Sequence, residues 1–566
     1  MLNNLRKASY PPSPRLRKRL TLRLFRAAWR AWIYRVGGAR GPVLSQNLII
    51  THNFLSTMSI NLFEVLVKFK KNLNFFLINQ GMVMNSKNIK DSSGGGWATL
   101  EFGGANFGDK RLTSRLINIA DRFSEAPEDP INQACNGWAE TKAAYRFFQN
   151  DNIDQNKILK THVEHTVERS KKEQTILAIQ DTSYISWRHP KTKGLGVISR
   201  TPGKNVKMRE SKGVVMHTCF AVSTEGLPLG LLSQKTFARQ PLPEDLKAKK
   251  KRCHNTNVAI EDKESIRWLE SLKQANSATK NSDLKFVTVC DREGDFYEFF
   301  ELAHKIGAPM LIRARGDRTI NKTSRYSDKT DEHLWSYLQG TQSKGKIQVE
   351  IPAKDQVPSR IATLNVKFKS FTMNPPRNNI RHQTETLPDL NLNAIYIVEM
   401  HPPNDQEALE WMLITDLPIT NLDEAVEKVK WYCLRWRIEV FHKILKSGLK
   451  VEECRLGTAD RLIRYLTVMS IIAWRIFWIT MVTRTSPASP CTKLLAEGEW
   501  KVLYLKIKKT KILPKQIPSL KDAIQWIAQL GGFLARKADG APGPMALWRG
   551  WKRLCDLSEG WSLANG

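Results

Sequence analysis

The segment from Trp431 to Lys446 has a helical pattern that separates an apolar side from a charged side. Leu434, Ile438, Phe441 and Leu445 share one stripe. Tyr432, Arg435, Glu439, Lys443 and Lys446 share the opposite stripe, where Glu439 is the one carboxylate among cations. The apolar stripe requires a core to pack against. The charged stripe is either a solvated face with i,i+4 ion pairs or part of a site.

The overall charge narrows the choice of partner. The chain has 566 residues, with 88 Lys and Arg against 55 Asp and Glu, so its net charge is +33. Its length predicts more than one domain. A basic surplus of this size favours a polyanionic partner, and nucleic acid is the first candidate, with a membrane surface as the competing one.

The cysteines and the longest apolar run bear on the cellular location. The eight cysteines form no C-x-x-C pair, which is typical of free thiols in a reducing compartment. The apolar run from Tyr465 to Thr483 has Arg475 at its centre. Because a charge is costly in lipid, we expect a buried core helix, no membrane partner and a cytoplasmic protein.

Residues 1–83 differ from the rest of the chain. They contain fourteen Lys or Arg residues and one acid, Glu64. An Arg-rich, acid-poor start is typical of a transit peptide, but a start codon assigned too early explains it equally simply. We favour the second interpretation, with Met82 or Met84 as the working start, and expect 1–83 to be a non-native or unstructured extension.

Residues 84–155 predict a helical N-terminal domain. A helix after Gly108 carries Lys110, Arg111 and Arg115 opposite its apolar positions, and a second helix carries Lys142 and Arg146. Basic helix faces suit contact with DNA phosphates and insertion into a groove. The alternative is a solvated basic face, which is common on short helices.

Strand patterns begin at Thr175 and later alternate with helices, which predicts a mixed α/β sheet. We expect a first core part over 156–316, a β-rich insertion over 317–395, a second core part over 396–486 and a helical C-terminal domain over 487–566. The strands TILAIQD and KFVTVCD end on Asp181 and Asp291. Each aspartate alone is typical of a cap or a turn.

Asp181, Asp291 and Glu439 together predict a hard-cation site. Carboxylate oxygens suit Mg²⁺, which keeps several waters and takes few protein ligands. Two such ions can activate an attacking oxygen and stabilise a leaving one, which fits cleavage of a phosphodiester.

These residues resemble those of a known family, the DDE transposases of bacterial insertion sequences, which have a ribonuclease-H-like core. The similar branch has a Y-R-E-K signature and acts by cut and paste through DNA hairpins. The motifs that carry the resemblance are DTS at 181–183, CDREGD at 290–295, the spacing of Tyr432, Arg435, Glu439 and Lys446, AAYRF at 143–147, GDKRLTSRL at 108–116 and LGGF at 530–533. The resemblance covers about residues 97–566.

The resemblance implies a role for each matched residue. Asp181, Asp291 and Glu439 would be catalytic and would bind Mg²⁺, for which Mn²⁺ can substitute. The DNA-binding set would be Arg115 and Arg146 on the terminal repeat, Arg435, Lys443 and Lys446 on phosphates near the cleaved end, Tyr432 beside a flipped base and Trp411 stacked on that base. Trp436 would pack beneath the site, while Glu293 and Asp295 would support the second motif.

The implied function is that of a transposase. It would bind double-stranded DNA at terminal inverted repeats, excise the element through hydrolysis and hairpin formation, and join its 3′ ends to target DNA. It would act near the bacterial nucleoid as a homodimer held by residues 487–566. Two alternatives remain: a ribonuclease-H-like nuclease without strand transfer, and a catalytically dead DNA-binding relic or repressor.

Overall fold

The computed structural model of the protein describes residues 96–187, 191–202, 208–240, 258–280, 282–322, 332–351, 360–377, 379–403, 407–485, 487–536 and 539–565. The expectations about residues 1–83 and about a start at Met82 or Met84 lie outside these ranges. The seven cysteines in the described part of the chain form no disulfide.

One large mixed sheet forms the centre of the fold. Its strands, together with the small β7–β8 pair, are β1 (Thr175–Ser186), β2 (Gly196–Pro202), β3 (Met208–Ser223), β4 (Pro228–Phe237), β5 (Lys285–Cys290), β6 (Met310–Arg313), β7 (Thr319–Ile320), β8 (Glu332–His333), β9 (Gly345–Ile351), β10 (Arg360–Met373), β11 (Leu390–Glu399) and β12 (Glu410–Thr415). The strand order is β2-β3-β1-β5-β6-β12-β11-β10-β9, and β4 pairs with β3. The predicted mixed α/β class is confirmed, whereas the ribonuclease-H-like identity stays a prediction.

Strand β1 shows why the sheet is central. Leu177 and Ile179 belong to one hydrophobic cluster, while Ile176 and Ala178 belong to another. Because side chains alternate between the faces of a strand, these clusters lie on opposite faces of the sheet. The apolar run TILAI therefore marks a strand that is covered on both faces.

The predicted insertion over 317–395 is β-rich, and it extends the central sheet. Strands β9, β10 and β11 continue the sheet beyond β12, with β10 and β11 paired from Leu364–Glu399 to Met373–Leu390. Strand β11 crosses the expected boundary at residue 395 and pairs with β12 of the second core part. The long antiparallel register and shared apolar faces join the two segments.

The helices flank this sheet. They are α1 (Trp97–Phe102), α2 (Lys110–Glu125), α3 (Ile131–Ala134), α4 (Trp138–Gln149), α5 (Gln155–Ser170), α6 (Ile266–Thr279), α7 (Tyr297–Ile306), α8 (Leu334–Gln339), α9 (Leu422–Cys433), α10 (Trp436–Lys443), α11 (Ala459–Thr485), α12 (Glu497–Lys508), α13 (Leu520–Leu530) and α14 (Pro544–Asn565). Helical domains thus precede and follow the sheet, as the sequence predicts.

Helix α11 contains the long apolar run. Its segment Ala459–Val482 is the one helix of the described ranges that is long and apolar enough to cross a membrane, and 83% of its apolar window is buried inside the protein. The Arg475 guanidinium stacks on the Trp97 ring, with 4.5 Å between the guanidinium carbon and the ring centroid. The buried helix predicted from the sequence is therefore confirmed.

A buried polar network joins α1 to the sheet. Glu101 accepts hydrogen bonds from His162 Nδ1 and from Arg169, each at 2.5 Å, and both donors lie on α5. His162 Nε2 accepts from the Leu231 N–H of β4 at 3.0 Å. Since Nε2 is an acceptor, His162 is neutral with its proton on Nδ1. The network connects the N-terminal helices to the core.

Helices α13 and α14 cross at two glycines. A Cβ atom on Gly531 would lie 1.8 Å from the Ala546 carbonyl oxygen, and one on Gly550 would lie 1.6 Å from the Ile527 carbonyl oxygen. Only glycine permits this close backbone approach, so both positions fix the packing of the C-terminal helices.

Candidate active site

Asp181 and Asp291 lie side by side at the point where the parallel pairing of β1 with β5 ends. Strands β1 and β5 pair with Gln180 opposite Cys290, so the next residue on each chain is an aspartate. Asp181 Oδ1 accepts from the Thr182 N–H at 2.9 Å, and Asp291 Oδ1 accepts from the Glu293 N–H at 2.8 Å. The sheet register therefore brings the two predicted aspartates together. The expectation that Asp181 ends its strand is wrong, because β1 stays paired with β3 as far as Ser186.

Glu439 comes from a helix that differs from the predicted one. The expected continuous helix over 431–446 is wrong, because α9 ends at Cys433, α10 begins at Trp436 and a π turn follows over Ile444–Gly448. At the break, the Arg435 N–H bonds the Tyr432 carbonyl at 3.0 Å, in the tighter i→i−3 pattern. The predicted apolar stripe still packs inward, since Ile438, Phe441 and Leu445 are fully buried.

The three carboxylates interact electrostatically. Burial and the negative charges of Asp291 and Glu439 together raise the pKa of Asp181 to about 7, against the lowering effect of Arg435. Such a cluster concentrates negative charge on oxygen atoms alone. A hard divalent cation would relieve the repulsion, so the donor set fits Mg²⁺.

Arg435 neutralises part of this charge. Its guanidinium forms an ion pair with the Glu439 carboxylate. Within the described residues, no three His, Cys, Asp or Glu side chains converge closely enough to hold a metal ion between them. The three carboxylates are therefore near one another without forming a closed metal site. Glu439 would have to release Arg435 before it could bind a metal ion together with the two aspartates.

His442 belongs to the site although the sequence reasoning missed it. Its Nδ1 lies 3.8 Å from Asp181 Oδ2. Burial lowers its pKa to about 3, helped by Lys446 and Arg435, so the ring is neutral. Its Nε2 has no hydrogen-bond partner among the described residues. The signal in the sequence was its position one helical turn after Glu439.

The predicted phosphate-binding cations occupy different environments. Lys446 Nζ donates to the Tyr184 carbonyl at 2.9 Å, which places its ammonium beside β1, three residues from Asp181. Lys443 is exposed. Lys446 thus lies with the carboxylates, while Lys443 faces solvent.

An aromatic pair lies next to the carboxylates. The rings of Trp411 and Tyr432 meet edge to face, with centroids 5.2 Å apart. The Arg313 guanidinium lies 6.0 Å from the centroid of Trp411. Burial lowers the pKa of Arg313, and Tyr432 counteracts this effect. Arg313, which the sequence reasoning missed, adds a cation beside the predicted base-stacking tryptophan.

Trp436 does not pack beneath the site. Its side chain is 53% exposed, so that expectation is wrong. Trp436 is the first residue of α10, and its side chain lies off the buried stripe of that helix. The buried aromatic residues on this segment are Trp431 and Tyr432.

Arg267 joins the two aspartate motifs from behind. Its Nε donates to the Thr182 hydroxyl at 3.1 Å, and its Nη2 donates to Glu293 Oε2 at the same distance. Arg267 is buried, and no short motif in the sequence pointed to it. Glu293 is thus engaged by Arg267, while Asp295 forms an ion pair with Arg318. These contacts position the segment of β1 that carries Asp181 and the loop that begins with Asp291.

The two predicted repeat-binding arginines lie on the N-terminal helices. Arg115 of α2 forms an ion pair with Glu140 of α4, whereas Arg146 of α4 is exposed. Arg115 would have to leave Glu140 in order to contact DNA, but Arg146 is already accessible.

Comparison with known families adds information at both ends of the chain. The family described as Transposase DNA-binding matches residues 95–153, which include α1 to α4. The family described as Transposase Tn5 dimerisation domain matches residues 471–566, which begin within α11 and include α12 to α14. These matches support a DNA-binding transposase that forms a homodimer.

Proposed function

We propose that the protein is a DNA transposase that cuts and joins DNA with Asp181, Asp291 and Glu439. The observation that carries this proposal is that the β1–β5 register sets Asp181 beside Asp291, with Glu439 close enough to act electrostatically on Asp181. The matched domains on either side supply DNA binding and a second subunit. The ribonuclease-H-like core and the Y-R-E-K hairpin chemistry are parts of the proposal.

Asp181, Asp291 and Glu439 would hold Mg²⁺, or Mn²⁺ as a substitute. When bound, these ions lower the pKa of the attacking water and stabilise the leaving oxygen. The chain itself must orient the DNA phosphate, neutralise its charge and exclude competing nucleophiles.

The surrounding side chains suit those tasks. Lys446 lies beside β1, so a phosphate near Asp181 would be within reach of its ammonium. Arg435 is shared between Glu439 and Tyr432, and it could turn from Glu439 to a phosphate as the site fills. His442 is neutral and faces Asp181, so it adds no charge that would repel a cation.

Trp411 and Tyr432 would serve the bent DNA. A hairpin requires a sharp bend, and extruding one base relieves it at a cost of a few kcal/mol. Stacking that base on an indole contributes about 1–3 kcal/mol. Trp411 is half-buried, with Tyr432 and Arg313 beside its ring, so the ring is braced while part of it remains accessible.

The proposed reaction has four steps. Water attacks one strand at the element end, which frees a 3′-OH and leaves a 5′-phosphate on the flanking DNA. The 3′-OH attacks the opposite strand, closing a hairpin and releasing the flank. A second water opens the hairpin, and the 3′-OH then attacks a target phosphodiester and releases a target 3′-OH. We place the reaction in the bacterial cytoplasm, at the nucleoid.

A time course on labelled DNA tests the proposal. The substrate is the DNA that flanks the reading frame, and the products are separated on denaturing gels with Mg²⁺ or Mn²⁺. A transposase gives a nick, then a hairpin, then an opened end and finally a joined product. Nicks without joining would indicate a nuclease, and binding without any nick would indicate a relic or a repressor.

A further inference from the structure

Residues 500–521 form a basic strip that the proposed active site does not use. The strip starts in α12 and ends in the first turn of α13, and it contains seven lysines and no Asp or Glu. No acidic residue interrupts it between Glu499 and Asp522. The strip lies within the matched dimerisation domain, away from the match described as DNA-binding.

Most lysines of the strip have no acidic partner. Lys501 binds Glu497 at 2.6 Å. Within the described part of the chain, the other six form no ion pair, and they are exposed: Lys506, Lys508, Lys509, Lys511, Lys515 and Lys521. Uncompensated like charges repel one another, which disfavours the folded state unless a polyanion covers them.

The backbone presents these lysines together. Lys509 ends α12 in the left-handed conformation, with φ 51°, so the chain turns while the lysines continue along the loop. Lys508 Nζ lies 5.3 Å from the centroid of the Trp526 ring, and Tyr504 braces that ring at 5.6 Å. Lysines in the last turn of a helix interact favourably with the helix dipole. Lys511 and Lys515 lie beyond α12, so the dipole does not account for their positive charges.

We propose that the basic strip is a second DNA-binding surface that holds duplex DNA through its phosphates, whatever the sequence. Lysines are point charges that suit phosphates, and Gln516 is the strip's one side chain among the Arg, Asn and Gln types that read base edges. Its occupant is the target DNA, because a surface with so little sequence readout cannot recognise a terminal repeat. The assignment to target DNA rests on the proposed function, whereas DNA binding by the strip does not.

Two other occupants would use the same surface differently. Ile512 is 78% exposed and Ile517 is 53% exposed, so apolar groups stand among the lysines. An anionic membrane would bind both the lysines and the isoleucines. A second copy of the chain would bury the isoleucines, but a symmetric contact would bring the two sets of lysines together.

The test compares two variants with equal charge change. One carries Lys506→Gln, Lys509→Gln, Lys511→Gln and Lys515→Gln. The control carries the same substitution at four exposed lysines of the core: Lys273, Lys280, Lys285 and Lys305. Binding of each protein to a duplex of arbitrary sequence is measured by fluorescence anisotropy between about 50 and 200 mM salt.

The strip variant should lose about 3 to 4 units from the slope of log affinity against log salt, since each phosphate contact contributes about 0.9. The control should lose less than about 1. In the labelled-end assay, the strip variant should still cleave but should join fewer ends to target. If the wild type cleaves nothing, the proposed function fails, and the salt slopes still decide the strip.

Three results would overturn the inference. Equal slopes for the strip variant and the control would show that net charge alone attracts DNA. Binding to phosphatidylserine vesicles that depends on the strip, with an unchanged DNA slope, would assign it to a membrane. A change from dimer to monomer, measured by light scattering, would assign it to the subunit contact.

Discussion

Replacing Glu101 with glutamine should weaken the protein most at neutral pH and progressively less in acid. Burial raises the pKa of Glu101, but His162 and Arg169 outweigh that effect and hold the pKa at about 2, below the ordinary 4.5. Because the folded-state pKa is depressed, the stabilisation is complete above pH 4.5 and is lost as the pH falls towards 2. The difference corresponds to about 3 kcal/mol at pH 7 and to about half of that at pH 3.

Urea unfolding followed by tryptophan fluorescence measures both values. Glu101→Gln should lower the free energy of unfolding by about 3 kcal/mol at pH 7, since Arg169 then lacks its buried counter-charge. His162 stays in both proteins. Burial lowers its pKa and Glu101 raises it, so the difference between the two proteins also includes a change in the His162 titration. Glu168→Gln, an exposed change on α5, the helix that carries His162 and Arg169, is the control.

If the difference in the free energy of unfolding between wild type and Glu101→Gln stayed constant from pH 7 to pH 3, the prediction would be wrong. Such a result would mean that Glu101 acts through packing and not through its charge. A control variant that showed the same pH-dependent difference would also contradict it.

Three other changes probe the packing and the site. Gly550→Ala should destabilise the protein by about 1–3 kcal/mol in thermal unfolding, because its Cβ would meet the Ile527 carbonyl. Gly560→Ala, which has open space around it, should not destabilise the protein. Equal effects of the two changes would contradict the close crossing of α13 and α14. Arg267→Ala should slow cleavage about 10- to 100-fold and raise the Mg²⁺ concentration that gives the half-maximal rate, while DNA affinity stays unchanged. Arg267→Lys should restore part of the rate. An unchanged Mg²⁺ dependence would mean that the role of Arg267 is purely structural. Trp411→Ala should slow hairpin closure about 5- to 100-fold relative to the first nick, with Trp436→Ala as the exposed control, and equal slowing of both steps would make Trp411 a packing residue.

The sequence predicts well the features that depend on the local spacing of apolar residues. The apolar runs before Asp181 and Asp291 are long enough to indicate strands, and the parallel register of these neighbours brings the two aspartates together. The spacing of Ile438, Phe441 and Leu445 indicates the buried side of α10. Arg475 within the apolar run correctly indicated a helix buried in protein.

The features that it does not predict depend on partners distant in the chain. Arg267 meets Thr182 across 85 positions, and Glu101 meets His162 across 61. Neither pair leaves a local pattern. The helical spacing of the sequence also gives no sign of the break at Leu434 and Arg435. A shift from i→i−4 to i→i−3 hydrogen bonding needs no particular residue type.

If Glu439 acts with Asp181 and Asp291 on a DNA phosphate, removing its charge should abolish the chemistry and leave DNA binding intact. Glu439→Gln and the control Glu427→Gln, a half-exposed carboxylate on α9, are compared for binding and for cleavage of the DNA that flanks the reading frame. We expect Glu439→Gln to bind this DNA as tightly as the wild type and to produce neither nick nor hairpin in Mg²⁺ or Mn²⁺, while Glu427→Gln cleaves normally. Cleavage by Glu439→Gln at a rate near that of the wild type would contradict a role for Glu439 in the reaction.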